Sequence, residues 1–206
     1  MWTLALETAS GQGSWALLHE DEVRAQAGLA AREYAATLLP ALAAGLASQG
    51  IGLQDVGLLA VADGPGSFTG VRIGLTTVKA LMEARQVPAV SVSTLTAVAF
   101  AQPEPTLAAM SAGQGEVYWG EYPAGKEGVE KAEEFAERLG RWPGVAVTPD
   151  AALANNAPRL QRIDARLAAA VGLLGRKIYQ RGGLAPAAET ALRLDARYYG
   201  TRWNAG

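Results

Sequence analysis

The sequence predicts a two-lobed α/β fold in which each lobe carries a mixed sheet with flanking helices. Three observations lead there. Residues 2–92 run through strand-like and helix-like segments in the order βββαβαβ, which joins an antiparallel hairpin pair to parallel crossovers. The stretch Gln102-Pro103-Glu104-Pro105 then interrupts the pattern, and a strand-turn-strand opening recurs beyond it over residues 106–122. A chain of 206 residues, half of them apolar, is long enough to bury such a core without covalent staples.

The first lobe is assigned to residues 1–103 and the smaller second lobe to residues 104–184, with a tail over 185–206 expected to pack back on the first. Residues 2–7, 14–19 and 23–29 are short apolar-rich runs divided by Gly11-Gln12-Gly13 and by Glu20-Asp21-Glu22, and they read as three antiparallel strands. A helix is expected over residues 31–49, a buried strand over 56–63, a glycine-rich loop, a helix over 70–85 and a strand over 87–92. In the second lobe, residues 106–112 and 116–122 flank the turn Gly113-Gln114-Gly115, and residues 129–139 read as a charged, exposed helix. A short strand is expected at 145–147. A long helix is expected over 164–180, with Asp164 as its cap and Leu167, Val171, Leu174 and Ile178 on one face. Residues 194–203 are aromatic and basic.

Composition narrows the function. Cysteine is absent, which removes disulfides, thiolate nucleophiles and sulfur-ligated zinc. His19, the single histidine, is placed at a surface turn, so neither a metal nor a cofactor is assigned. The formal net charge of -2 offers no broad footprint for nucleic acid, so tRNA contact is expected only through a complex. No apolar run reaches membrane-spanning length and the first residues lack a basic signal-peptide start, which suggests the cytoplasm. Charged residues make up only 18% of the chain, lean for a surface that meets water everywhere.

The sharpest motif is the run from Gly64 to Gly70, G-P-G-S-F-T-G, between a strand and a helix. Turn glycines and free helix amides could meet an anion there, with Glu7, Thr8, Gly64, Gly66, Ser67, Thr69 and Gly70 as a candidate vestigial phosphate loop. The plainer reading is a tight turn in which Ser67 or Thr69 caps the helix; the run is neither a Walker loop nor a dinucleotide fingerprint. Sugar and acetate kinases of two-lobed form bring an acid from each lobe to magnesium, and here the second hairpin offers Ser111 in that place, with Glu116 a poor substitute.

The other motif is a lack of charge: residues 34–49 carry none. A helix uncharged on every side must be covered on every side, so its stripes Tyr34, Leu38, Leu42, Leu46 and Ala35, Leu39, Ala43, Ala47, with Gly70, Gly74, Thr77 and Leu81 of the next helix, form a candidate docking face. The alternative is that residues 95–101 cover these helices within the same chain. On the docking reading, Leu39→Glu or Gly74→Arg abolishes pairing and leaves the fold intact.

Leu4-Ala5-Leu6-Glu7-Thr8-Ala9-Ser10, the run G-P-G-S-F-T-G-V-R-I-G from Gly64 to Gly74, and Gly115-Glu116-Val117-Tyr118-Trp119 together resemble the bacterial TsaB (YeaZ) family. That resemblance implies the actin-like ASKHA (RNase H-like) fold and a part in installing threonylcarbamoyl on an adenosine of tRNA. It implies a non-catalytic subunit that docks through the helices at 31–49 and 70–85 onto a TsaD-like catalytic partner, joined by a TsaE-like ATPase, with homodimers when alone. TsaD-like proteins hold metal through a histidine pair that this chain lacks. Glu7-Thr8-Ala9 and Ser111-Ala112-Gly113 depart from the family's Asp-Thr-Ser and Asp-Ala-Arg, which weakens nucleotide binding in the cleft but not docking. The rival enzyme readings are an ATP-dependent phosphotransferase of the same fold, using Glu7 and the glycine loop, and a metallopeptidase.

Overall fold

A computed structural model describes residues 1–29 and 34–182, so the expected docking of residues 185–206 and the first turn of the helix predicted from residue 31 lie outside the described residues. The first sheet contains β1 (Trp2–Glu7), β2 (Ser14–His19), β3 (Glu22–Gly28), β4 (Val56–Ala62) and β5 (Ala89–Val92), in the spatial order β3-β2-β1-β4-β5. β2 runs antiparallel to both β1 and β3, while β1, β4 and β5 are parallel. The second contains β6 (Thr106–Gly113), β7 (Glu116–Tyr122), β8 (Lys126–Lys131), β9 (Val145–Thr148) and β10 (Gln161–Arg162), in the order β10-β9-β6-β7-β8. Each sheet thus has an antiparallel three-strand meander extended by two parallel strands, and the plan read from two hairpins extends to whole sheets.

Alternation along the strands sorts side chains between layers. Leu4 and Leu6, Trp15 and Leu17, and Leu59 and Val61 face one way, into a cluster covered by α1 (Tyr34–Ser48) and α2 (Phe68–Arg85). Ala5, Ala16, Leu18, Ala60 and Ala62 face the other way, into a layer shared with α3 (Thr94–Ala99), α6 (Ala168–Gly182) and the second sheet. Small residues on that face let α6 approach closely: a Cβ on Gly172 would lie 2.4 Å from Leu18 and one on Gly175 2.8 Å from Ala60. α6 follows the second sheet in sequence yet packs on the first, with Ser14 Oγ accepting its Ala168 N–H at 3.1 Å. The outer face of the second sheet is closed by α4 (Ala132–Arg141) through Phe135 and Leu139, and the short α5 (Ala151–Asn156) precedes β10.

Three sequence expectations need correcting. Val129 to Lys131 belong to β8, paired antiparallel with β7, and the helix begins only at Ala132. Tertiary pairing overrides helix propensity here because Glu130 on the strand receives both Arg138 Nε and Nη2 at 2.8 Å, while Arg138 lies 3.7 Å over the Trp119 ring. The last helix starts at Ala168 instead of after Asp164, whose carboxylate is taken by the Arg166 side chain and amide. Residues 95–101 do not cover the first two helices: α3 lies against β6, β7 and α6 on the opposite face of the sheet.

Arg176 of α6 is 2% exposed, and its guanidinium reaches Asp21 at 3.0 Å and Glu20 at 2.5 Å. Both acids sit exposed on the β2–β3 turn, so removing the arginine strands no buried carboxylate. Arg176→Ala is therefore expected to lower stability by about 2 kcal/mol, chiefly through the cavity left by its stem, and urea unfolding with the parent as reference checks this.

Candidate functional site

The ends of the two hairpins face each other across a cleft of about 500 Å³. One wall is the loop after β1, from Ala9 to Gln12, with Gly66 and Ser67; the other is the end of β6, from Met110 to Gly113, with Asp150 and Arg162. The glycine-rich loop is built for close backbone docking on the end of β1. Ser67 N–H donates to Ala9 O at 2.7 Å and Thr8 Oγ1 donates to Gly70 O at 2.7 Å. A Cβ on Gly70 would lie 1.8 Å from Thr8 O, and one on Gly66, whose φ is +152°, 2.3 Å from Ala9 O. Ser67 caps α2, accepting from Gly70 N–H at 3.3 Å, and its carbonyl accepts from Val71 N–H at 2.9 Å. The amides of Ser67, Gly70 and Val71 are thus consumed within the protein, leaving fewer donors for an anion. Thr69 is exposed and does not line the cleft.

Glu7 and Thr8 have no exposed surface, and neither lines the cleft. Glu7 Oε1 accepts from Ser10 N–H at 2.6 Å, and Glu7 Oε2 lies 2.7 Å from Ser10 Oγ. Burial pushes its pKa up to about 7, with the backbone hydrogen bonds from Ser10 and Ala9 opposing the rise. Asp150, the carboxylate that does line the cleft, accepts from Ala152 and Leu153 N–H at 2.9 and 3.1 Å and so caps α5. A pair of free carboxylates on magnesium, which a phosphotransferase needs, is therefore not brought together by Glu7 and Asp150. Nor do the residues fit a TsaD-type metal: His19 lies at the end of β2 beside Trp2, with ring centroids 4.7 Å apart, and no cluster of three or more metal-ligating side chains occurs among the described residues.

The predicted docking residues divide sharply. Tyr34, Leu38, Leu42 and Leu46 turn inward and are buried in the chain's own core. Gly70 and Gly74 are buried against Thr8, and Thr77 and Leu81 are half-buried. The side chain of Ala35 lies outside the described residues. Leu39, 56% exposed, and Ala43 face outward, and the same side of α1 presents Ala36, Pro40, Ala44 and Ala47, none charged. Phe68, 43% exposed under the Arg72 guanidinium at 3.7 Å, adds an aromatic at the head of α2. Sequence reasoning missed Pro40, Ala44 and Phe68; their signal was the helical offset of four that joins Ala36, Pro40 and Ala44 and that sets Phe68 beneath Arg72.

Fold and site together define a two-lobed actin-like protein whose inter-lobe cleft, among the described residues, does not bring Glu7 and Asp150 together as a free carboxylate pair, and whose first lobe presents an uncharged helical face. Residues 21–179 match the family model described as "TsaD: tRNA N6-adenosine threonylcarbamoyltransferase". The chain belongs to this family, in its TsaB (YeaZ) group. It is 38% identical over 139 residues to the tRNA threonylcarbamoyladenosine biosynthesis protein TsaB of Escherichia coli, covering 65% of this chain and 60% of that protein. It is 40% identical over 121 residues to TsaB of Haemophilus influenzae, covering 56% and 51%. The chain thus spans little more than half the length of the curated relatives it matches. YeaZ from Pseudomonas aeruginosa superposes with a TM-score of 0.74 at 28% identity, covering 91% of this chain and 96% of that one. An activator of 2-hydroxyisocaproyl-CoA dehydratase from Clostridium difficile, solved with bound ADPNP, shares the fold alone, with a TM-score of 0.58 at 10% identity over 87% of this chain and 96% of that one. Among the described residues no helix is long and apolar enough to cross a membrane.

Proposed function

We propose that this chain is a non-catalytic scaffold subunit in the biosynthesis of tRNA threonylcarbamoyladenosine, acting in the cytoplasm. It docks on a TsaD-like catalytic subunit through the outer faces of α1 and α2, a TsaE-like ATPase joins the pair, and tRNA is met through the complex. Free of its partner, the chain uses the same face to pair with itself. The observation that carries this reading is the uncharged outward side of α1, with Leu39 56% exposed at its centre. A single apolar residue on a surface needs no explanation, but six neighbouring uncharged positions on one helix do. Mixing the purified chain with a TsaD-like subunit and measuring mass by light scattering tests it. A complex of summed mass is expected at micromolar concentration, and two separate species would refute the docking role.

A further inference from the structure

Glu7 ends β1 beneath the loop that forms one wall of the cleft, and its hydrogen bonds do not balance if it is ionised. Ser10 Oγ lies 2.7 Å from Glu7 Oε2 and 3.0 Å from Gln12 O, yet a hydroxyl has one proton to give. With a carboxylate, either Gln12 O or Glu7 Oε2 goes without it. A proton on Oε2 completes the chain: Glu7 donates to Ser10 Oγ, Ser10 Oγ–H donates to Gln12 O, and Ser10 N–H donates to Glu7 Oε1 at 2.6 Å. Glu7 is 0% exposed, and among the described residues it forms no ion pair that would favour the charge. Its cross-strand neighbour is Ser14, which is neutral. Tyr34 of α1 is within electrostatic reach: its pKa is raised by its own burial and, further, by charge on Glu7, and its oxygen accepts Gly13 N–H at 2.7 Å.

We propose that Glu7 is a protonation-dependent clip: as the neutral acid it fastens the loop from Thr8 to Gly13 that walls the cleft and, through Gly13 and Tyr34, the head of α1, and its ionisation releases both. The direction follows from burial. A carboxyl whose pKa rises from 4.5 to about 7 on folding holds its proton longer when folded than when unfolded. The stability it confers is fully present below the unfolded value of 4.5 and is lost as pH rises through about 7. That displacement corresponds to a fall of roughly 300-fold in the folding equilibrium constant, the antilogarithm of the shift.

Carbon-13 titration of the Glu7 carboxyl in the full chain, assigned with Glu7→Gln, tests this directly. A midpoint near 7 is expected, with exchange of the Ser10 and Gly13 amides, corrected for intrinsic rate, accelerating above it; Glu7→Gln abolishes that acceleration. A midpoint at or below the ordinary carboxylate value, or exchange at Gly13 indifferent to the titration, overturns the proposal. Should Glu7→Gln fail to fold, Ser10→Ala serves: it removes the oxygen that accepts the Glu7 proton, so the neutral acid loses its partner and the midpoint must fall toward the ordinary carboxylate value. An unmoved midpoint overturns the proposal equally.

Discussion

Gly70→Ala is expected to lower the stability of the fold by about 3 kcal/mol or more, the largest effect of any methyl added at the glycine-rich loop. The added carbon would lie 1.8 Å from the Thr8 carbonyl oxygen and 2.9 Å from its carbon. Both are backbone atoms at the end of a central strand, and they cannot rotate aside as a side chain would. Relief requires the loop to lift off β1, which breaks the bonds from Ser67 N–H to Ala9 O and from Thr8 Oγ1 to Gly70 O. Gly140→Ala is the matched control. Gly140 lies within α4, and a Cβ there meets nothing within 4 Å, so it gains about 0.5 kcal/mol of helix propensity instead. Urea unfolding of the two variants beside the parent separates close docking from a general intolerance of alanine. A Gly70→Ala protein as stable as the parent would mean that the loop is held open, as a phosphate cradle would be, and not pressed onto β1.

Much of this architecture is legible in the sequence because alternation and turn chemistry are local. The glycines after Glu7 and Ala112 place the hairpins, and Ser67 announces the start of α2 as a cap. What could not be read depends on partners distant in sequence. Glu130 reads as a helical surface acid until Arg138 and Trp119 are set around it on a strand. Asp164 reads as a helix cap until the Ala168 N–H is found donating instead to Ser14, 154 residues before it. The candidate site shows the same divide. The uncharged character of α1 is visible in its letters, but which stripe faces the sheet is decided by Trp15, against whose ring a Cβ on Gly45 would lie at 2.2 Å. Once that face of the helix packs inward, Tyr34, Leu38, Leu42 and Leu46 are core and only the Leu39 side remains for a partner. Likewise Glu7 looks like a metal ligand at the end of a strand until its burial under Ser10 is known.

Leu39→Glu is expected to weaken pairing with a TsaD-like subunit by about 100-fold or more while changing the chain's own stability by less than about 0.5 kcal/mol. The asymmetry follows from exposure. At 56% exposed, Leu39 has little to lose from meeting water in the free protein, but a carboxylate pressed into a dry helical contact loses its hydration without a partner. Gly74→Arg, which the helix pattern offers as an equivalent probe, fails for a physical reason: a Cβ there would lie 2.5 Å from Thr8 Oγ1 and 3.4 Å from Val61, inside the core, so this variant unfolds before it can report on docking. Ala43→Glu is the better second probe, since Ala43 is exposed on α1 one turn beyond Leu39. Circular dichroism and urea unfolding establish that both glutamate variants are folded, and titration calorimetry with the partner measures the loss. If both are folded and both pair at the parental affinity, the docking surface does not lie on α1, and the uncharged helix owes its composition to something other than a neighbouring subunit.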